Sequence, residues 1–117
     1  ILNETKILHR KKQNLSKSQI IEYSILLIIT KYFEITANKV NALENLSFIS
    51  SKNESLKNKI IELISQGEKK DIIRMKIQED YKELLEEIEE SSNIQFIVKG
   101  KNDQELLILL EIFLTSI

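Results

Sequence analysis

The sequence predicts an all-α fold, a compact bundle of five to seven helices, for three reasons. Proline is absent and Gly67 and Gly100 are the only glycines, so few residues can break a helix. Leucine, lysine and glutamate, which favour helices, are common. Apolar residues recur at the three- and four-residue spacing of helices along most of the chain. A chain of 117 residues is also long enough for one domain with a core of its own.

Residues 1–15 are predicted to form an N-terminal arm or a short helix. Ile1, Leu2, Ile7 and Leu8 are its few apolar anchors, and a basic run at residues 9–12 follows them. Because the chain begins with Ile rather than Met, we expect it to be a piece of a longer protein.

The helical bundle is expected to occupy residues 16–100, and its first helix is the most apolar one. Ser16 is the predicted N-cap, and the helix should end near Tyr32. Seven of the ten residues at 20–29 are aliphatic, so this helix should be buried on nearly all sides. A second, amphipathic helix is predicted from a buried stripe of Ala37, Val40, Leu43 and Leu46, with Phe48 closing the unit.

Ser51 is the predicted N-cap of a third helix, which runs from the next residue to about Gln66. Ser51 and Glu54 have the spacing of a capping box, in which each side chain accepts a hydrogen bond from the other residue's backbone amide. Gly67 suits the left-handed residue that commonly follows a helix. The predicted core stripe of this helix consists of Leu56, Ile60, Leu63 and Ile64.

The second half of the chain continues the helical pattern. Residues 69–90 fit one long helix or two, with a break favoured at residues 78–80. Residues 94–99 alternate in part and are predicted to be an extended linker, because no second strand is available to pair with them. Asn102 and Glu105 again have capping-box spacing, so residues 101–117 are predicted to start a C-terminal helix that continues beyond this chain.

The sequence offers no constellation for catalysis or for a cofactor. Cysteine is absent, which excludes thiol nucleophiles and thiolate metal sites, and the two glycines are isolated rather than part of a phosphate-binding loop. His9, the single histidine, falls in the predicted arm, where a Ser-His-Asp triad is not expected. Glu83 with Glu87, or Glu86 with Glu90, would lie one turn apart, but one helix face supplies too few oxygens for a hard cation. We therefore expect no catalytic residue, no cofactor and no metal.

Interaction with another protein is the expectation that remains. No apolar run reaches the roughly 18 residues needed to cross a bilayer, so no membrane contact is expected. A net charge of -1 does not favour a surface for polyanions, so no direct contact with nucleic acid is expected. The last helix looks apolar on most sides and should be covered by the bundle, by a partner or by a second copy in a homodimer. The predicted partner-binding residues are Leu106, Leu107, Leu110, Phe113 and Leu114.

Residues 19–64 resemble the C-terminal domain of bacterial DNA primase, the domain that docks onto the replicative helicase. That family carries an apolar helix, an Asn-His-Pro-Glu-Leu joint, an acidic amphipathic helix, an aromatic residue and a third helix. Residues 25–29 look like the apolar helix and residues 31–35, KYFEI, fall at the joint, with Tyr32 and Phe33 in place of His and Pro. The other matching positions are Val40, Leu43 and Leu46, the aromatic Phe48, and Leu56, Ile60 and Leu63 in the third helix.

The resemblance implies a fold similar to the N-terminal domain of the replicative helicase. It also implies a function: a non-catalytic domain that binds the hexameric replicative DNA helicase and modulates it during primer synthesis. The parent protein would be a cytoplasmic bacterial DNA primase, a polymerase that makes RNA primers. Its zinc-binding and polymerase domains would lie upstream of this domain, and a terminal helical hairpin would lie downstream.

Two other functions stay open from the residues alone. A helical nucleic-acid-binding domain would use Arg10, Lys11, Lys12 and Lys17 as phosphate contacts, and its binding would weaken steeply with salt. A helical oligomerisation or regulatory module unrelated to primase would share the helical pattern only.

Overall fold

Eight helices joined by short turns make up residues 15–116, the part of the chain that the computed structural model describes. In chain order they are α1 (Lys17–Lys31), α2 (Phe33–Ala37), α3 (Val40–Glu44), α4 (Ser51–Ser65), α5 (Lys70–Asp80), α6 (Lys82–Glu90), α7 (Ser92–Val98) and α8 (Asp103–Thr115). No strand occurs among these residues, so the all-α prediction is confirmed. The predicted N-terminal arm lies almost wholly outside the described residues.

Helix α1 is the centre of the bundle. Residues 21–29 are all buried, as their aliphatic composition predicts, and α4, α6, α7 and α8 all pack against this helix. Ser16 caps it as predicted: the Ser16 Oγ accepts from the Gln19 amide at 3.1 Å, and the Gln19 Oε1 accepts from the Ser16 amide at 2.9 Å. The first helix therefore has the predicted start, and its aliphatic stretch is buried as the sequence predicts.

The predicted second helix is instead two short helices. Tyr32 alone separates α1 from α2, and a turn at Asn38 and Lys39 separates α2 from α3. Thr36 is buried, and its hydroxyl donates to the carbonyl oxygens of Ile29 at 3.2 Å and Tyr32 at 3.0 Å, which holds α2 against the end of α1. In that orientation Ala37 is exposed, so it is wrong as a stripe residue, whereas Leu43 is fully buried.

Helix α4 starts one residue earlier than predicted and ends as predicted. Ser50, not Ser51, is the N-cap, and its Oγ accepts from the Asn53 amide at 3.4 Å. At the other end Gly67 has a φ of 77°, and the amides of Gly67 and Glu68 bond back to Ile64 and Leu63 at 3.0 and 3.1 Å. These two bonds form a Schellman motif, the arrangement that needs a left-handed residue.

Residues 69–90 form two helices, with the break at Tyr81, one residue after the wet stretch where a break was favoured. Tyr81 has φ -129° and ψ 28°, outside helical geometry, and its hydroxyl lies 2.6 Å from the Ser55 Oγ on α4. The break lets α5 pack on α4 while α6 turns to pack on α1 and α7.

The prediction of an extended linker at residues 94–99 is wrong, because Ser92–Val98 is a helix. Ile94 and Val98 are four residues apart, so a helix places both against the core, and Ile94 is fully buried. An unpaired extended segment would leave its backbone groups without partners, whereas here the Gln95 amide bonds to the Ser91 carbonyl at 3.0 Å. This helix and the split second helix raise the number above the predicted five to seven.

Helix α8 starts where the sequence predicts and packs on α1. The Glu105 amide donates to the Asn102 Oδ1 at 2.8 Å, and the Asn102 amide donates to the Glu105 Oε1 at 3.2 Å, which confirms the predicted capping box. Leu106 and Leu110 are fully buried in the common core. The last helix is thus part of the bundle that surrounds α1.

Candidate interaction surface

The predicted partner-binding residues of α8 divide into two groups. Leu106 and Leu110 have no exposed surface, and they contact the core of the bundle itself. Leu107, Phe113 and Leu114 are partly buried and pack against the same core. The face that α8 turns to solvent carries Ile108 and Ile112 instead, and each is more than half exposed.

The exposure of Ile108 and Ile112 was not predicted, because α8 looks apolar all round in the sequence. The pattern alone does not say which of its leucines and isoleucines contact α1. On the same helix, Glu111 forms an ion pair with Lys39 of the α2–α3 turn, with 2.8 Å between the Lys39 Nζ and the Glu111 Oε1. This partly exposed pair links α8 to the turn.

A buried carboxylate lies where α1 meets the α3–α4 loop, residues 45–50. Glu22 is only 2% exposed, although it belongs to the most apolar helix. Its carboxylate accepts from the Ile49 amide at 2.7 Å, the Ser50 amide at 3.4 Å and the Asn53 Nδ2 at 2.9 Å. A buried carboxylate requires such donors, since burying the charge without them is costly.

A buried ammonium group holds the other side of the same loop. Lys57 has no exposed surface, and its Nζ donates to the Leu46 carbonyl, pairs with the Glu54 Oε1 at 2.9 Å and lies 5.3 Å from the centre of the Phe48 ring. The Glu54 Oε1 also accepts from the Phe48 amide at 3.0 Å. Burial acts to raise the pKa of Glu54, but the hydrogen bonds from Phe48 and Lys57 and the charge of Lys57 outweigh it, so this pKa is lowered.

These two sets of contacts fix the backbone of the loop on both sides of Ile49. We call the four side chains that make them, Glu22, Asn53, Glu54 and Lys57, the loop clamp. The Ile49 side chain itself points outward and is 81% exposed, more than any other large apolar side chain among the described residues. The loop clamp therefore displays one apolar side chain on a fixed backbone.

A groove lined mainly by charged residues lies next to this loop, between the start of α4 and the α5–α6 break. It has a volume of about 560 Å³, and its charged lining residues are Lys52, Glu79, Asp80, Lys82, Glu83 and Glu87. The Tyr23 hydroxyl donates to the Glu87 Oε2 at 2.5 Å, and burial together with this carboxylate raises the pKa of Tyr23. Of the carboxylates considered for a cation, Glu87 is thus already engaged by a tyrosine.

Within residues 15–116 no three His, Cys, Asp or Glu side chains come close enough together to hold a metal ion. Over the same stretch, every helix is too short or too polar to cross a bilayer.

The basic residues predicted as phosphate contacts for a nucleic acid do not form a cluster within the residues that the structure describes. Lys17 is exposed at the start of α1, whereas Arg10, Lys11 and Lys12 lie outside the described residues. At the opposite end of α1, Lys31, Lys99 and Lys101 line a small depression of about 280 Å³ beside Tyr32. Lys31 is 3.9 Å from Glu89, and both side chains are well exposed, so this pair contributes little to stability.

Sequence reasoning missed the loop clamp, although one signal for it was present. A glutamate inside a helix that is apolar on all sides must be buried, so it must also find hydrogen-bond donors. Lys57 gave no such signal, because a lysine between apolar positions of an amphipathic helix is usually solvated. Comparison of the chain with known protein families, curated proteins and solved structures gives no match.

Proposed function

We propose that this chain is a non-catalytic protein-interaction domain of a bacterial DNA primase, and that it binds and modulates the hexameric replicative helicase. The observation that carries the proposal is the order of elements around α1. An apolar central helix is followed by a one-residue joint at Tyr32, two short helices, a buried aromatic residue at Phe48 and then α4. The resemblance to the primase domain rests on a similar order, with a five-residue joint at residues 31–35 and one amphipathic helix where this chain has the break at Tyr32 and the two helices α2 and α3.

The exposed apolar side chains support a role in binding a protein. Ile49, Phe96, Ile108 and Ile112 are each more than half exposed, on a loop and on two helices. Aliphatic and aromatic side chains of this kind form the buried centres of protein interfaces. The domain would modulate the helicase by binding one arrangement of the helicase subunits more tightly than another, since only differential affinity shifts such an equilibrium.

The test is binding and unwinding with the hexameric helicase from the same genome. We expect the chain, or a version extended at its C-terminus, to bind the intact helicase and to change its unwinding rate. A helicase that lacks its N-terminal domain should not respond. If neither version binds or changes unwinding, the proposed function is wrong.

A gel-shift series with single-stranded DNA over increasing salt separates this proposal from the nucleic-acid alternative. We expect no shift without helicase. A shift at low salt that is lost steeply as salt increases would favour the alternative.

A further inference from the structure

The end of α1 and the turn between α7 and α8 place three lysines around one depression. Lys31 is the last residue of α1, and Lys99 and Lys101 belong to the turn. All three line a depression of about 280 Å³, and none of the residues that line it is acidic. Positive charge from two distant parts of the chain therefore converges at this place.

The charge of these lysines is poorly balanced by the protein. Within residues 15–116, Lys99 and Lys101 form no ion pair, and Lys31 lies 3.9 Å from Glu89, at the outer limit of an ion pair. The negative ends of α1 and α7 together supply about one negative charge against three positive ones. Like charges that are grouped in this way repel one another unless an anion lies between them.

Lysines elsewhere in the described part of the chain do have acidic partners. Four of them have a carboxylate oxygen 2.8–3.3 Å from the Nζ: Lys39, Lys57, Lys70 and Lys76. The depression at the end of α1 differs from these places because its positive charges converge on open space. An anion from outside the chain would supply the missing partner.

The number of charges indicates the class of anion. A phosphate monoester carries about −1.5 to −2 charges at pH 7, so one phosphate leaves part of the charge of three lysines unbalanced, whereas two linked phosphates match it. The side chains of Tyr32 and Gln95 also line the depression and can donate hydrogen bonds to further phosphate oxygens.

The surroundings of the depression favour a compact ligand over a nucleic acid. A neighbouring groove of about 480 Å³ shares Lys31 and Tyr32 with it, and Glu86 and Glu89 line that groove. A long polyanion that left the depression on this side would meet two carboxylates and be repelled. A small molecule held by its phosphates need not extend over them.

We propose that Lys31, Lys99 and Lys101 bind the diphosphate group of a small molecule. The bound anion links the end of α1 to the turn before α8, so it stabilises the folded chain as any ligand of the folded state does. This site is separate from helicase binding and does not rest on the proposed function.

A titration of the isotope-labelled chain with inorganic pyrophosphate at low salt, followed by nuclear magnetic resonance, tests the site. The chain has two glycines, and their amide signals act as reporters, because Gly100 lines the depression whereas Gly67 follows α4. We expect the Gly100 signal to shift in a saturable way in the millimolar range or below, and the Gly67 signal to stay. The thermal midpoint should increase with the pyrophosphate concentration.

Substitution of the lysines provides the matched comparison. The double variant Lys99→Gln/Lys101→Gln should raise the dissociation constant for pyrophosphate at least about tenfold, because it removes two charge-assisted contacts. Lys17→Gln/Lys52→Gln changes the net charge equally and is the control, since both residues are exposed and neither lines the depression. It should bind pyrophosphate as the unsubstituted chain does.

Two results would overturn the inference directly. One is a Gly100 signal that does not respond to pyrophosphate. The other is an equal loss of affinity in the control variant, since binding would then follow net charge alone.

Single-stranded DNA in the same titration separates the two sources of phosphate. At equal phosphate concentration it should shift the Gly100 signal less than pyrophosphate does. A larger shift would show that the depression belongs to a nucleic-acid surface and that the assignment to a compact ligand is wrong. Each of these results is independent of whether the chain binds helicase.

Discussion

Lys57 shows how one residue can differ from its sequence pattern. It lies beside Leu56 on a helix with an ordinary apolar stripe, yet it is fully buried, with a carboxylate, a carbonyl and an aromatic ring as its partners. Removing one member of such a group leaves the others without their bonds, and that loss exceeds the net gain from forming the group. The same reasoning applies to Glu22, which serves two backbone amides and one side chain.

Replacing Lys57 with methionine should therefore destabilise the domain although methionine fits a core. We expect Lys57→Met to lower the free energy of unfolding by about 1–3 kcal/mol, because the Leu46 carbonyl loses its donor and Glu54 loses its cation. Urea unfolding followed by circular dichroism measures this change. Lys52→Met, an exposed position in the first turn of the same helix, is the control and should stay within about 0.5 kcal/mol. Equal effects of the two substitutions would contradict a structural role for Lys57.

At the scale of elements, the sequence predicted helices well where the pattern was strong and local. The starts of α1 and α8 and the end of α4 were predicted because a cap or a left-handed glycine marks each of them. The split between α2 and α3 was not predictable, since it depends on how Thr36 meets the end of α1. Helix α7 was missed because an apolar pair such as Ile94 and Val98 fits a strand as well as a helix until the core it packs on is known.

The end of α4 gives a prediction at this scale. Gly67→Ala should destabilise the domain by about 1–2 kcal/mol, because a side chain disfavours the left-handed backbone conformation. An added Cβ would meet no atom within 4 Å, so the effect would come from the backbone alone. Thermal unfolding should show a lower midpoint for this variant, and Gln66→Ala, next to it with an ordinary helical φ of -78°, should show almost none of the shift. A midpoint that Gly67→Ala leaves unchanged would contradict the Schellman motif.

At the scale of the whole molecule, α1 packs against helices from both halves of the described chain. Helix α4 covers one part of α1, while α7 and α8 cover others, so elements far apart in sequence share one core. The candidate interaction surface could not be predicted for the same reason. The sequence identified α8 as apolar but did not assign its faces, because only packing in the common core distinguishes the buried Leu110 from the exposed Ile108. The loop clamp was equally hidden, since it joins residues up to 31 positions apart.

If α8 belongs to this core, a substitution in it should weaken the entire domain. We expect Leu110→Ala to lower the free energy of unfolding by about 2–5 kcal/mol, as for other large-to-small changes in a core, within a single transition. Ile108→Ala, two residues away on the exposed side, should change it by less than about 0.5 kcal/mol. Chemical denaturation monitored by tyrosine fluorescence and by circular dichroism tests both expectations. A separate early transition for α8 would show that it folds independently of the bundle.

The loop clamp also bears on how this chain can vary through evolution. Glu22 and Glu54 bind three successive main-chain amides, so the conformation of the loop does not depend on which side chain occupies position 49. Every residue except proline supplies the amide that is needed at positions 48–50. Mutation at position 49 can therefore change the exposed side chain of the loop while the fold is inherited intact, whereas mutation at Glu22 removes bonds to the loop backbone and affects the fold. The loop thus separates heritable change in surface chemistry from heritable change in stability.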